Sequence, residues 1–299
     1  MIATDLAGWT VVFDLDGTLI DTAPDLHASL NHCLEGAGLT AVPFDAVRAM
    51  IGQGAKAMLE DPKFSSIQPD YVFALHNIPG FPLHEVIQVK GQFSATVISV
   101  AIALHGRQSH AAEPENGSNP AWAMAEITQL VKEWIVADPT DPSFTLITPV
   151  YTTLGQPDYG ISAGYGELHF TLRCWTVQLM DDLVGRLEAL VERIGGAYGL
   201  ETHLQYFDYF PATPNDPQAN DYVSRAARSA DLPLVQKNVP FKFGEDFGWF
   251  AQKYRGAMLG LGAGTDTPVL HNEYYDFPEA LIDSGIRFFK SLIRTVLAD

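Results

Sequence analysis

The spacing of hydrophobic and polar positions changes several times along the chain. Trp9 to Phe13 (WTVVF) is a short apolar run that stops at DLDGT, the pattern of a buried strand entering a tight loop. After Pro24, the positions Leu26, Leu30, Cys33, Leu34 and Ala37 recur at helical spacing, and Gly36 and Gly38 supply a stop. A second helical stretch lies between Phe44 and Glu60, interrupted at 51–54. Residues 61–70 (DPKFSSIQPD) have no period and read as a junction. From Ser94 the pattern is more regular. Ile98, Val100, Ile102 and Leu104 alternate with Val97, Ser99, Ala101 and Ala103, which predicts a strand. Asn119 and Pro120 suit a helix start, and Ile127, Leu130, Val131, Trp134 and Ile135 form one helical stripe. Phe144–Val150 and Glu167–Trp175 predict two more strands. In the second, Leu168, Phe170, Leu172 and Cys174 face one way and His169, Thr171 and Arg173 the other. Leu183, Leu187, Leu190, Val191 and Ile194 predict a helix ending at Gly195 and Gly196, and His203–Phe207 a closing strand. The order β-α-β-β-α-β, over roughly 94–207, is that of an antiparallel sheet with two helices on one face. Beyond Asp208 come a Pro-rich turn, helical stretches, a Gly-rich apolar strand at Gly256–Gly262 and a last helix. Ile282, Ile286, Phe289, Ile293 and Val296 are expected on its buried face.

Composition narrows the reading. A length of 299 residues suits two compact domains, and 47% hydrophobic residues are ample for packed cores. Lys and Arg number 18 against 36 Asp and Glu, a formal charge of −18, and no basic stripe is present, so nucleic acid is not an expected partner. No apolar run is long enough to span a bilayer and no leader pattern opens the chain, so no membrane partner and a cytoplasmic location are expected. Cys33 and Cys174 have no metal or disulfide spacing and read as reduced, buried thiols.

Two stretches carry chemistry. VVFDLDGTLIDTAPDL (Val11–Leu26) resembles the first motif of haloacid-dehalogenase-type phosphatases, and the following GAGLTAVPFDAVRAMIGQGAKAML resembles cap helices of the phosphoglycolate phosphatase branch. Residues two apart on a turning strand end can direct both carboxylates at one Mg²⁺ and one phosphoryl group. The resemblance makes Asp14 the nucleophile and Asp16 the acid/base. Beyond Glu60 the remaining phosphatase motifs have no recognisable version.

From about residue 65 to the C-terminus the chain resembles the dinuclear-metal peptidase and aminoacylase-type amidohydrolases. The resemblance rests on YVFALHNIPG (Tyr71–Gly80), GRQSHAAEPENGSNPA (Gly106–Ala121), GEDFGWF (Gly244–Phe250) and LGAGTDTPVLHNEYYDFPE (Leu261–Glu279). It implies His76 and His271 as ligands of a divalent metal, Zn²⁺, Mn²⁺ or Co²⁺. It further implies His110 as a lid histidine that stabilises an oxyanion across a homodimer, with Asn77, Arg173, Glu245, Gly262 and Gly264 shaping the substrate pocket. In that family further ligands and a Glu–Glu pair holding the general base lie upstream of ALHN. Here the phosphatase-like opening takes that place, with no CGHD-like run and no adjacent Glu pair, which predicts an impaired site.

The expected fold is α/β: a phosphatase-like strand and cap helices at 1–60, a partial α/β catalytic domain at 61–93 and 208–299, and an inserted two-layer β-α-β-β-α-β lid and dimerisation domain at 94–207. The expected function is metal-dependent hydrolysis of amide bonds in N-acyl amino acids or small peptides, with a small-molecule substrate and a homodimer formed through 94–207. Two alternatives stand beside it. One is a Mg²⁺-dependent phosphomonoester phosphatase through Asp14 and Asp16. The other is a non-catalytic dimerising or fusion product.

Overall fold

The computed structural model describes residues 54–60, 62, 64, 68–270 and 272–299. The strand expected at Trp9–Phe13, the helices expected before Gly54, and Asp14 and Asp16 lie outside the described residues. The main elements in chain order are α1 (Gly54–Glu60), β1 (Val72–Ile78), β2 (Val86–Val89), β3 (Thr96–His105), α2 (Ala121–Lys132), β4 (Thr145–Leu154), β5 (Tyr165–Cys174) and α3 (Val177–Tyr198). They continue with β6 (Glu201–Phe210), α4 (Pro217–Ser229), β7 (Leu234–Lys237), α5 (Gly248–Ala251), β8 (Gly256–Gly262) and α6 (Ala280–Leu297). The described residues gather into two compact units. One holds the residues before Ser94 with Thr213–Asn238 and Asp246–Asp299; the other holds Ser94–Ala212 and Val239–Glu245. The architecture is mixed α/β with open sheets. No helix among the described residues is long and apolar enough to cross a membrane.

In the unit of Ser94–Ala212 and Val239–Glu245, four strands form an antiparallel sheet in the order β4-β5-β3-β6. Ser99 lies opposite Thr171 and Ala101 opposite His169, so the two-residue period sends one set of side chains to each face. Val100, Ile102, Leu104, Leu168, Phe170 and Leu172 meet Ile127 and Val131 of α2 and Leu183, Leu187, Val191 and Ile194 of α3 in one core. Cys174 is buried in the same core, and burial pushes its thiol up to about 11. Helix α3 starts where the Thr176 hydroxyl accepts from Leu179 N at 3.2 Å. It does not stop at Gly195 and Gly196, as the sequence suggests. Gly195 lies against Thr202, whose Cγ2 would be 2.5 Å from an added Cβ, and the helix ends at Gly199, whose φ of 64° is the left-handed cap.

In the other unit, the sheet order is β1-β8-β2-β7. β1 and β8 run parallel over their whole length, from Val72 opposite Gly256 to Ile78 opposite Gly262. β2 is antiparallel to β8 and parallel to β7. Every residue of β8 (GAMLGLG) is buried, as suits a strand enclosed on both faces. Tyr222, Val223, Ala226 and Ala227 of α4 and Leu281, Phe288 and Leu292 of α6 close over it. Asp216 caps α4, accepting from Gln218 N and Ala219 N. Where β2 and β8 separate, Asn215 fills the gap. Its amide donates to the carbonyls of Val89 and Met258, each at 3.0 Å, and its oxygen accepts from Met258 N at 2.8 Å.

Two expectations need correction in this unit. The buried face of α6 is Leu281, Ser284, Phe288, Ser291 and Leu292, whereas Ile282 and Ile286 are 50% and 47% exposed. Two serines take places in the buried stripe because each has a partner: Ser291 donates to Ala226 O at 2.9 Å, and Ser284 meets His84. The aperiodic junction at 61–70 also contains a packed residue. Phe64 is buried with its ring edge-on to Phe250 at 5.8 Å, and Ala55 N of α1 donates to Asp246 Oδ2 at 3.3 Å.

Candidate functional site

The carboxyl ends of β1 and β8 lie side by side, and in open α/β sheets this is where ligands bind. The last residues of β1 include His76 and Asn77, whose side chains leave opposite faces of the strand. His76 is buried. Its Nδ1 lies 2.7 Å from the Asn77 carbonyl oxygen, which can only accept, so Nδ1 carries the proton and the ring's lone pair is at Nε2. That tautomer is the one a metal-ligating histidine takes when a backbone carbonyl orients it. Asn77 is also buried, and its amide nitrogen donates to the Tyr275 hydroxyl. Burial pushes the Tyr275 phenol above its ordinary range, against the opposing effect of the Asn77 bond.

Beyond β8 the backbone turns tightly around the segment 80–85. Gly80 N donates to Gly264 O at 2.9 Å and Gly264 N to Phe81 O at 2.9 Å. His84 N donates to Gly262 O at 3.0 Å and Gly262 N to Glu85 O at 2.8 Å. A Cβ on Gly262 would stand 2.0 Å from the Pro82 carbonyl oxygen, so only glycine fits there. Gly264 has φ of 111°, and a Cβ would approach the Thr267 hydroxyl to 2.7 Å. The structure thus brings His76, Asn77, Gly262 and Gly264 together at one strand end.

Three other expected residues belong to the other unit. His110 is exposed in a short pairing of Ser109–His110 with Ile161–Ser162. Its Nδ1 accepts from Ala112 N at 3.0 Å, which leaves the ring proton on Nε2. Arg173, on β5, donates from Nη1 to the Lys242 carbonyl at 2.7 Å, and burial lowers its pKa from the usual guanidinium value. Glu245 is half-buried beside Gly244, where a Cβ would meet Val97 Cγ2 at 2.9 Å. His271 lies outside the described residues, as do Asp14 and Asp16. Among the described residues no three His, Cys, Asp or Glu come together so as to hold a metal ion. His76 therefore does not make a metal centre with its described neighbours alone. Sequence reasoning missed Tyr275. The signal was present in the NEYYDF run beside His271, but a phenol has no spacing that ties it to an asparagine 198 residues away.

Known proteins resemble this chain in sequence and in fold. The model of haloacid dehalogenase-like hydrolases matches residues 11–77. The chain is 30% identical over 243 residues to the N-acetyldiaminopimelate deacetylase of Geobacillus sp. (strain WCH70), covering 80% of this chain and 63% of the relative. It is 27% identical to the protein of the same name from Oenococcus oeni (strain ATCC BAA-331 / PSU-1), covering 75% of this chain and 59% of the relative. It thus spans under two thirds of either relative's length. Among solved structures, its fold is similar to the Bacillus subtilis YXEP protein, described as a dinuclear metal binding peptidase from the M20 family. That likeness has TM-score 0.65 at 20% identity, with 82% of this chain and 61% of that one covered. The model of peptidase family M20/M25/M40 matches residues 48–295, which takes in the whole strand-end cluster and both units, and the chain belongs to that family.

Proposed function

We propose that the chain hydrolyses amide bonds in N-acyl amino acids or small peptides with the help of a divalent metal, the small molecule binding at the carboxyl ends of β1 and β8. The observation that carries this reading is the contrast between two histidines. His76 is buried with its lone pair at Nε2, as a ligand needs, and His110 is exposed with a proton at Nε2, as a donor to an oxyanion needs. The names of the relatives, N-acetyldiaminopimelate deacetylases, support an N-acetyl amino acid as the acyl substrate. A bound divalent ion would polarise the amide carbonyl and lower the pKa of a water. On this reading His76 and His271 are its ligands. Asn77 occupies one lone pair of the Tyr275 hydroxyl and so directs the phenolic proton toward a substrate oxygen. Gly262 and Gly264 shape the pocket at the strand end, and residues 94–207 act as lid and dimerisation domain.

Purified protein should be assayed for bound metal, then for release of acetate from N-acetyl amino acids with Zn²⁺, Mn²⁺ or Co²⁺. Turnover that falls at least about a hundredfold in His76→Ala is expected, the size seen when a residue of a metal site is lost. Equal turnover in that variant would end the proposal. The match at residues 11–77 gives a second reading: phosphomonoester hydrolysis with Mg²⁺ through Asp14 and Asp16. Phosphatase activity abolished by Asp14→Asn, and untouched by His76→Ala, would favour it.

A further inference from the structure

The turn Gly262–Gly264 is laced to the segment 80–85 by the four backbone hydrogen bonds described above, and one side chain of the segment reaches helix α6. His84 is one of three non-glycine residues with positive φ among the described residues, at 69°, a conformation uncommon for residues with a Cβ. Its Nδ1 lies 2.8 Å from the hydroxyl of Ser284 on α6, and Ser284 is 1% exposed. Arg287, one turn along α6, donates from Nη2 to the same hydroxyl at 3.4 Å. Arg287 is itself held by Asp283 at 2.9 Å and by Ala230 O at 3.2 Å.

A guanidinium has no acceptor, so Arg287 can only donate, and the Ser284 oxygen accepts from it. The same buried hydroxyl is hydrogen-bonded to the His84 ring, so one oxygen joins the segment 80–85 to α6.

We propose that His84 is a positioning residue: through Ser284 it latches the segment 80–85 to α6, and so fixes the Gly262–Gly264 turn at the carboxyl end of β8. The role of that turn in shaping a substrate pocket rests on the function proposed above, but the latch itself is read without turnover. The test is amide hydrogen exchange in the full chain, followed at Gly262 and Gly264, whose N–H groups donate to Glu85 O and Phe81 O. Ser284→Ala removes the hydroxyl and His84→Ala the imidazole. Each should lower protection at these two amides about tenfold, the size of one lost buried hydrogen bond, while amides of β3 and β5 keep theirs. His84→Asn is the conservative arm. Asparagine favours the left-handed conformation and carries an acceptor in place of Nδ1, so protection should stay within about twofold of the parent chain. Unchanged protection in His84→Ala, or loss in His84→Asn equal to that in His84→Ala, would overturn the latch. If Ser284→Ala unfolds the chain, His84→Asn still decides, because a protected turn sustains the proposal and an open one refutes it.

Discussion

Gly262 lies where β8 gives way to the turn, and its missing side chain lets the Pro82 carbonyl approach to a distance no Cβ allows. Because the obstacle is backbone on both sides, Gly262→Ala should cost about 1–3 kcal/mol, read as a lower midpoint in urea. Asn215 acts in the opposite sense, supplying polar atoms where two strands separate. Asn215→Leu leaves Met258 N and the carbonyls of Val89 and Met258 without those partners, and about 1–3 kcal/mol per abandoned group is expected in the same measurement. At this scale the sequence is readable where chemistry is written in a motif. His76 and Asn77 are legible from ALHN, and Gly262 and Gly264 from LGAG. Tyr275 and Ser284 are not, because each acquires its role from a partner about 200 residues away, His84 in one case and Asn77 in the other.

Elements are legible as far as apolar periodicity is their cause. β3 and β5 show this, since alternation alone assigns their faces and the register agrees. Helix α6 shows the limit. Its isoleucines and phenylalanines suggest a stripe through Ile282 and Ile286, but the packed stripe runs through Ser284 and Ser291, which hydropathy counts as solvent-facing. Helix α4 illustrates an end set by charge. Burial acts to raise the pKa of the Asp216 carboxyl, but hydrogen bonds from Ala219 N, Arg255 and Gln218 N more than offset it, and the carboxyl is held below its ordinary value. With the folded value below the unfolded one of about 3.9, the cap contributes fully above that pH, and its contribution is lost as pH falls through the folded value. Asp216→Asn keeps a capping oxygen but has no charge to titrate. Its stability should vary less with pH below about 4 than that of the parent chain, as followed by thermal unfolding across that range.

For the whole molecule, the proposal of a homodimer through residues 94–207 finds support in the edge of the four-stranded sheet. β4 pairs with β5 on one side and ends the sheet order on the other. Val150 and Tyr151, at the irregularity in its register, are 57% and 54% exposed. An edge strand that shows apolar side chains and open backbone groups is a surface for a second chain, and two copies meeting there make an isologous contact. Each copy carries a formal charge of −18, so approach is opposed over distances of about 10 Å at 0.1 M salt and over longer ones in dilute buffer. The dimer should therefore strengthen with added salt, the reverse of an association driven by opposite charges. Light scattering after gel filtration should give twice 32.7 kDa for the parent chain at moderate salt. Tyr151→Glu adds a like charge across the two-fold contact and should shift the mass toward the monomer, most strongly at low salt. A parent chain that stays monomeric at all salt concentrations, or a dimer indifferent to Tyr151→Glu, would remove β4 as the interface. The result also bears on catalysis: if His110 must reach a partner's substrate, as the family resemblance implies, Tyr151→Glu should lose amidase activity with its dimer.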